Sequence, residues 1–142
     1  MKLVRHILDT KGDEIWHTTP EDSVLDAIKL MAEKKIGALL VMEEDNLSGI
    51  VSERDYARKV ILQGKSSRET PVRDIMTAEV VVINPQETVE QCMTLMTEKR
   101  MRHLPVVDNG KVVGVVSIGD LVKAIIAEQQ FHIEQLESYI AS

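Results

Sequence analysis

A serine and an aspartate three residues apart close the same apolar stretch twice, in Gly49-Ile50-Val51-Ser52-Glu53-Arg54-Asp55 and in Gly114-Val115-Val116-Ser117-Ile118-Gly119-Asp120. Each stretch reads as a strand that gives way to an amphipathic helix, so a hydroxyl and a carboxylate arrive together at a strand-to-helix junction. Two chemistries fit. A capping box needs no ligand: the serine accepts from a backbone N–H of the first turn and the acid bonds back. A nucleotide pocket uses the same groups differently. The carboxylate accepts hydrogen bonds from a ribose diol, while the serine and the free N–H groups of the helix start face phosphate. The repeat around the motif favours the second chemistry.

Sliding the chain on itself by 65 positions aligns residues 18–56 with 83–121 without a gap. Pro20 meets Pro85, Val24 meets Val89, Met31 meets Met96, Lys34 meets Lys99, Val41 meets Val106, and then the two motifs coincide. A short lead-in also recurs, Val4-Arg5-His6-Ile7-Leu8 against Val72-Arg73-Asp74-Ile75-Met76, at a larger offset that places the extra residues in the Lys11-Gly12-Asp13-Glu14 turn. The chain is a tandem duplication.

These motifs must be positioned by a repeated unit of strand, helix, strand, strand, helix. Residues 2–8 read as a short helix and 15–18 as a strand ended by Pro20, which has no N–H to donate. Ser23 caps a helix with apolar positions at helical spacing. Residues 38–42 and 47–51 form a hairpin. In the second half, 80–83 is expected as a strand, 88–98 as a helix, and 104–107 with 112–116 as a hairpin around Asp108-Asn109-Gly110, a sequence suited to the positive φ angles of a tight turn. Residues 65–71 read as a polar linker between a first repeat at 1–64 and a second at 72–142. Lys65, Ser66 and Ser67 are assigned to solvent there and not to phosphate. The last helix starts near Ile118 and carries Leu121, Ile125, Ile133, Leu136 and Ile140 at near-heptad spacing, more apolar face than one small repeat covers, so a homodimer is expected.

At 142 residues the chain is long enough for a core, whereas each repeat alone is marginal. A net charge of −6 with interspersed signs offers no basic footprint for nucleic acid or an anionic membrane. The single cysteine, Cys92, excludes an intramolecular disulfide and a thiolate metal cluster, and its place on an apolar helix face makes it a core residue. Residues 1–8 lack the apolar core of a signal peptide, and no run approaches the roughly 20 apolar residues of a membrane span. A soluble, cytoplasmic protein is the expectation.

The duplicated unit, the Val-Arg-Asp-Ile-Met-Thr lead-in at 72–77, the Arg102-His103-Leu104-Pro105-Val106 strand and both Ser-x-x-Asp ends resemble a tandem pair of CBS domains over almost the whole chain. Ser52-Glu53-Arg54-Asp55-Tyr56 and Gly64-Lys65-Ser66-Ser67 are similar to those of stand-alone CBS-pair proteins. The resemblance implies an α+β fold of two β-α-β-β-α repeats with pseudo-two-fold symmetry and two clefts that hold adenine nucleotides: AMP, ADP, ATP, S-adenosylmethionine or NAD. It implies a cleft of Asp120, Ser117 and Gly119 with Thr18, and a mate of Asp55 and Ser52 with Ile83, Asn84, Gly37 and Ala38. Ile36 or Met101 would sandwich the adenine, and Arg54, Arg58, Arg102 and His103 are the cations available for phosphate.

The clefts are not equivalent, because the second repeat has Arg102-His103 and Gly119 where the first has Gly37-Ala38 and Arg54. The Asp120 cleft is expected to bind more tightly, borrowing charge from Arg54 and carrying none of its own. His6, His17, His103 and His132 fit no metal spacing, and no glycine-rich phosphate loop is present. The expected function is therefore non-enzymatic, an adenine-nucleotide sensor that signals to a regulated protein. A structural dimerisation module without a ligand and a nucleotide hydrolase are the alternatives.

Overall fold

The computed structural model describes residues 2–12 and 14–141. Helix α1 spans Val4–Lys11, followed by β1 (His17–Thr18), α2 (Val24–Lys34), β2 (Ala38–Glu43), β3 (Asn46–Ser52), α3 (Glu53–Tyr56) and a π-helical turn at Ala57–Ile61. A 3-10 turn at Val72–Asp74 leads to α4 (Val89–Lys99), β4 (His103–Asp108), β5 (Lys111–Ser117) and α5 (Ile118–Ala141). The fold is mixed α+β and built from two copies of one plan. Ser23 caps α2 by accepting from Asp26 N–H at 3.1 Å, and Thr88 caps α4 in a full capping box with Gln91. Both helices end on a left-handed residue, Lys35 at φ 57° and Arg100 at φ 54°.

In the first copy β1 runs parallel to β2, which pairs antiparallel with β3. In the second, β4 pairs antiparallel with β5, and both hairpins carry a bulge at the matching place, after Val41 and after Val106. Asn109 at φ 51° and Gly110 at φ 78° form the expected hairpin tip. The strand expected at 80–83 does not form: only Ile83 pairs, bridging to Val106. Its N–H donates to Pro105 O at 3.0 Å and its carbonyl accepts from Val107 N–H at 2.8 Å. The next ladder bond toward Val81 would need an N–H from Pro105, which has none, whereas the first copy has Leu40 at that place. The helix expected after Asp55 also departs from its α-form, since the Leu62 N–H reaches back five residues to Ala57 O at 3.0 Å.

The chain divides into two compact units that do not follow the order of the repeats, Met1–Glu14 with Val82–Ser142, and Ile15–Val81. Each takes in the other repeat's lead-in. Val4 and Arg5 donate to Glu87 O and Pro85 O, at 2.9 and 3.0 Å. Val72 and Arg73 donate to the matching Asp22 O and Pro20 O, at 2.8 and 3.0 Å. The predicted linker is tied down the same way, with Val24 N–H on Thr70 O at 2.9 Å and Leu25 N–H on Ser67 O at 3.0 Å. Gly12 ends α1 at φ 97°; Asp13, in the predicted turn, lies outside the described residues.

Val24, Ala27, Met31, Leu39, Val41, Val51, Val60, Val72 and Ile75 form the core of one unit. Val4, Ile7, Val89, Cys92, Met96, Leu104, Val106, Val116 and Leu121 are buried in the other. Cys92 is fully buried, and desolvation, aided by Glu87, pushes its thiol up to about 11, so it is a core residue as expected. Helix α5 buries Leu121 and Ala124 and then leaves its unit's core: Ile133, Leu136 and Ile140 are 48%, 63% and 82% exposed. Among the described residues no helix is long and apolar enough to cross a membrane.

The lead-ins explain the glycine that opens each motif. A Cβ on Gly49 would lie 2.7 Å from Thr77 O and 2.9 Å from Met76 Sδ, and one on Gly114 would lie 2.6 Å from Leu8 Cδ2. The Gly49 obstacle is backbone, itself bridged to Ile50, and the Gly114 obstacle is the end of a flexible side chain. Gly49→Ala should therefore destabilise by about 1–3 kcal/mol and Gly114→Ala by less. Urea unfolding of both variants checks the order; equal losses would mean that the two lead-ins are equally rigid.

Candidate functional site

Both Ser-x-x-Asp motifs occupy the end of a hairpin strand and the first turn of the following helix, as the sequence indicated. Ser52 caps α3 from an extended conformation, accepting from Asp55 N–H at 3.2 Å. Asp55 Oδ2 accepts in return from Ser52 N–H at 2.9 Å and from its hydroxyl at 3.1 Å. The second oxygen, Oδ1, lies 3.3 Å from Lys59 Nζ, which also donates to Ile75 O at 2.9 Å. Gly37 and Ala38 are brought to this junction: Gly37 O accepts from Glu53 N–H at 3.0 Å, and Ala38 pairs with Ser52 across the hairpin. Ile36 is partly buried in the core beside them, and Arg54 and Arg58 are exposed.

Thr18 belongs to the same compact unit as Asp55. It is buried, and its hydroxyl donates to Asp22 Oδ2 at 2.9 Å, beside the Thr19 N–H at 3.0 Å. Burial pushes the Asp22 carboxyl up, but the bonds from Thr19 and Thr18, with help from His17, outweigh it and hold it below the ordinary value. Thr18 thus already donates its proton to a partner, which the sequence did not reveal.

The second junction has the same cap and a different cation. Asp120 N–H donates to Ser117 Oγ at 3.1 Å, and Asp120 Oδ2 accepts from Ser117 N–H at 2.9 Å. The same oxygen accepts from Lys11 Nζ at 2.7 Å, and Lys11 also donates to Val115 O at 2.8 Å. Burial raises the Asp120 carboxyl, but the Lys11 and Ser117 hydrogen bonds and the Lys11 charge bring it below its usual range. Lys11 overturns the expectation that this site carries no cation of its own. It lies 109 residues from Asp120 in the chain, and the only signal for it was a lysine at a helix C-terminus, which reads as a complement to the helix dipole.

Arg102 and His103 join Asp120's junction through Ile118 N–H on Arg102 O at 2.8 Å and the pairing of His103 with Ser117. Met101 is half-buried. Ile83 is buried and Asn84 exposed in the same unit, where Asn84 Oδ1 accepts from Gln86 N–H at 2.8 Å. Gly119 is exposed, and an added Cβ would meet only Ser117 Oγ, at 3.6 Å, so packing does not demand glycine there. A groove of about 390 Å³ runs from Asp120 and Lys11 past Lys123 and Thr10 to His6 and Lys2, between α1 and α5. Among the described residues no group of three or more His, Cys, Asp or Glu side chains could hold a metal ion.

Burial lowers the His103 pKa first of all; the Lys11 charge adds to this, Asp120 opposes it, and Arg102 adds a little more. The folded chain thus favours the neutral imidazole, while the unfolded chain protonates near about 6.5. The resulting stability is present above that value and is lost as pH falls through the folded pKa. Proton NMR of the His103 ring should show it titrating below about 6.5, and His103→Gln should flatten the fall in melting temperature across that window. A ring that titrates at or above the ordinary value would contradict this account.

A family model for the CBS domain matches residues 4–61 and 72–127. A mitochondrial CBS domain-containing protein of Arabidopsis thaliana, CBSX3, is 44% identical over 134 residues, which are 91% of this chain and 65% of that protein. A solved protein with CBS domains from Burkholderia ambifaria is 56% identical, with a TM-score of 0.87 over 90% of this chain and 96% of that one. The CBS domain pair of protein MJ0100, solved in complex with 5′-methylthioadenosine and S-adenosyl-L-methionine, is 26% identical with a TM-score of 0.80, over 90% and 98% of the two chains. Two matched copies, a duplicated hairpin-and-cap plan and a Ser-x-x-Asp at each junction agree: this chain belongs to the CBS-domain family and carries a CBS pair.

Proposed function

We propose that the chain is a regulatory module that binds an adenine nucleotide, AMP, ADP, ATP or NAD, at its Ser-x-x-Asp junctions and passes its occupancy to a partner protein. The observation that carries this reading is the pairing at each junction of a carboxylate pre-oriented by its own cap with a lysine ammonium beside it. A ribose diol donates to the first and a phosphate accepts from the second. The residues proposed for the ligand sites, besides Asp55 and Asp120, are Thr18, Gly37, Ala38, Ser52, Arg54, Ile83, Asn84, Met101, Arg102, His103, Ser117 and Gly119. The adenosyl ligands of the MJ0100 pair support the ligand class. At each junction the serine hydroxyl accepts from the aspartate N–H of its own cap, a use that needs no reaction.

The exposed apolar face of α5 supports a second element of the reading, a homodimer. Ile133, Leu136 and Ile140 recur three and four residues apart, which is the spacing of a helix seam, and a two-fold pairing would cover the same face on both copies.

Adenine nucleotides should raise the melting temperature by mass action, and guanine nucleotides should do so less. Equal shifts, or none at millimolar concentration, count against a purine-reading site. In calorimetry Asp120→Ala should weaken the tighter event by about 1.5–3 kcal/mol, while Asp55→Ala leaves it in place; the reverse result would invert the order of the sites. Removing the chain after Ala127 should move the mass measured by light scattering toward a monomer, and an unchanged dimer would place the interface elsewhere.

A further inference from the structure

Lys11 occupies one of the two oxygens of the carboxylate proposed to take the ribose. Its ammonium is 2.7 Å from Asp120 Oδ2 and 2.8 Å from Val115 O. The two junctions differ here: Lys59 meets the opposite oxygen of Asp55, at 3.3 Å, and comes from the same helical segment, four residues on. Lys11 arrives from a separate helix and is 41% exposed, while Asp120 is 19% exposed, so the pair sits at an open mouth. Beyond it the groove between α1 and α5 is lined by Lys2, Lys123, Thr10 and His6, and among the described residues that line it Asp120 is the one carboxylate.

A neutral nucleoside that takes Asp120 Oδ2 must displace the ammonium and gives it nothing in return. A phosphorylated one supplies a new anionic partner within the swing of a flexible lysine stem. A sulfonium ligand would bring a second cation against Lys11, Lys123 and Lys2. We propose that Lys11 is the specificity-determining residue of the Asp120 site: it holds the carboxylate against neutral and cationic adenosyl compounds, and transfers to the phosphate when the ligand is an anionic adenine nucleotide. The inference rests on the nucleotide-binding reading and narrows its ligand class to phosphate-bearing adenosine.

The test is calorimetry with AMP, adenosine and S-adenosylmethionine on the wild-type chain, Lys11→Met, which keeps the stem and removes the charge, and Lys11→Arg, which keeps the charge. The wild-type chain should bind AMP more tightly than adenosine or S-adenosylmethionine. In Lys11→Met, adenosine should gain affinity and AMP lose it, so that the AMP-to-adenosine preference falls roughly tenfold or more; Lys11→Arg should retain most of the preference. A preference unchanged in Lys11→Met, with the tighter event still weakened by Asp120→Ala, overturns the role of Lys11 and leaves the nucleotide site standing. Tighter wild-type binding of S-adenosylmethionine than of AMP overturns it as well. If none of the three probes, nor ADP, ATP or NAD titrated in the same way, binds the folded wild-type chain, the nucleotide-binding reading falls and this inference with it.

Discussion

Leu8 lies over Gly114 so closely that any side chain there would meet it, and the Asp120 junction is built on that contact. Because β5 offers no Cβ at that point, α1 settles against the strand, and its last residue, Lys11, reaches Val115 O and Asp120. Backbone bonds from Val4 and Arg5 to Glu87 and Pro85 fix the other end of the same helix. A glycine in a strand weakens it in isolation, through entropy and lost packing. Here that local loss is what allows a helix from the opposite end of the sequence to bring a cation to the motif.

The other junction shows what changes when the lead-in is different. Val72–Asp74 forms only a 3-10 turn, and Thr77 then bridges to Ile50 beside Gly49. No lysine arrives from that segment. The cation at Asp55 is instead Lys59, one turn along its own helical segment and anchored on Ile75 O, a carbonyl that the lead-in supplies. Each carboxylate is thus matched to an ammonium, but one pair is local and the other long-range. Duplication preserved the cap and left the counter-ion free to diverge.

That difference explains what the sequence disclosed and what it did not. The cap at Ser23, the Asn109-Gly110 turn, the buried Cys92 and the long α5 depend on residues near one another in the chain, where spacing is informative. The missing strand at 80–83 also has a local cause, but the signal lies in the partner strand, at Pro105, and not in the apolar Val80-Val81-Val82-Ile83 run itself. Lys59 was legible as a partner at i+4 from Asp55. Lys11 was not, because nothing in an exposed lysine records which repeat its helix will join. The exchange of lead-ins is likewise invisible in an alignment of the repeats, which reports similarity and not which copy packs on which.

The capping box and the proposed ligand site, which begin as rival explanations of Ser-x-x-Asp, are two uses of one geometry. A carboxylate has two oxygens and about four acceptor positions. The cap takes one at Asp120, through the Ser117 N–H, and two at Asp55, through the Ser52 N–H and hydroxyl, and in doing so fixes the plane and direction of the group. A free aspartate on a helix surface would have to surrender rotamer freedom on meeting a ribose, whereas this one has surrendered it on folding. At Asp120 the Lys11 and Ser117 hydrogen bonds also outweigh burial and hold the carboxyl below its usual range. Without the cap Asp120 would be a half-buried acid with no fixed direction; with it, the acceptor that the proposed ribose contact requires is oriented on folding.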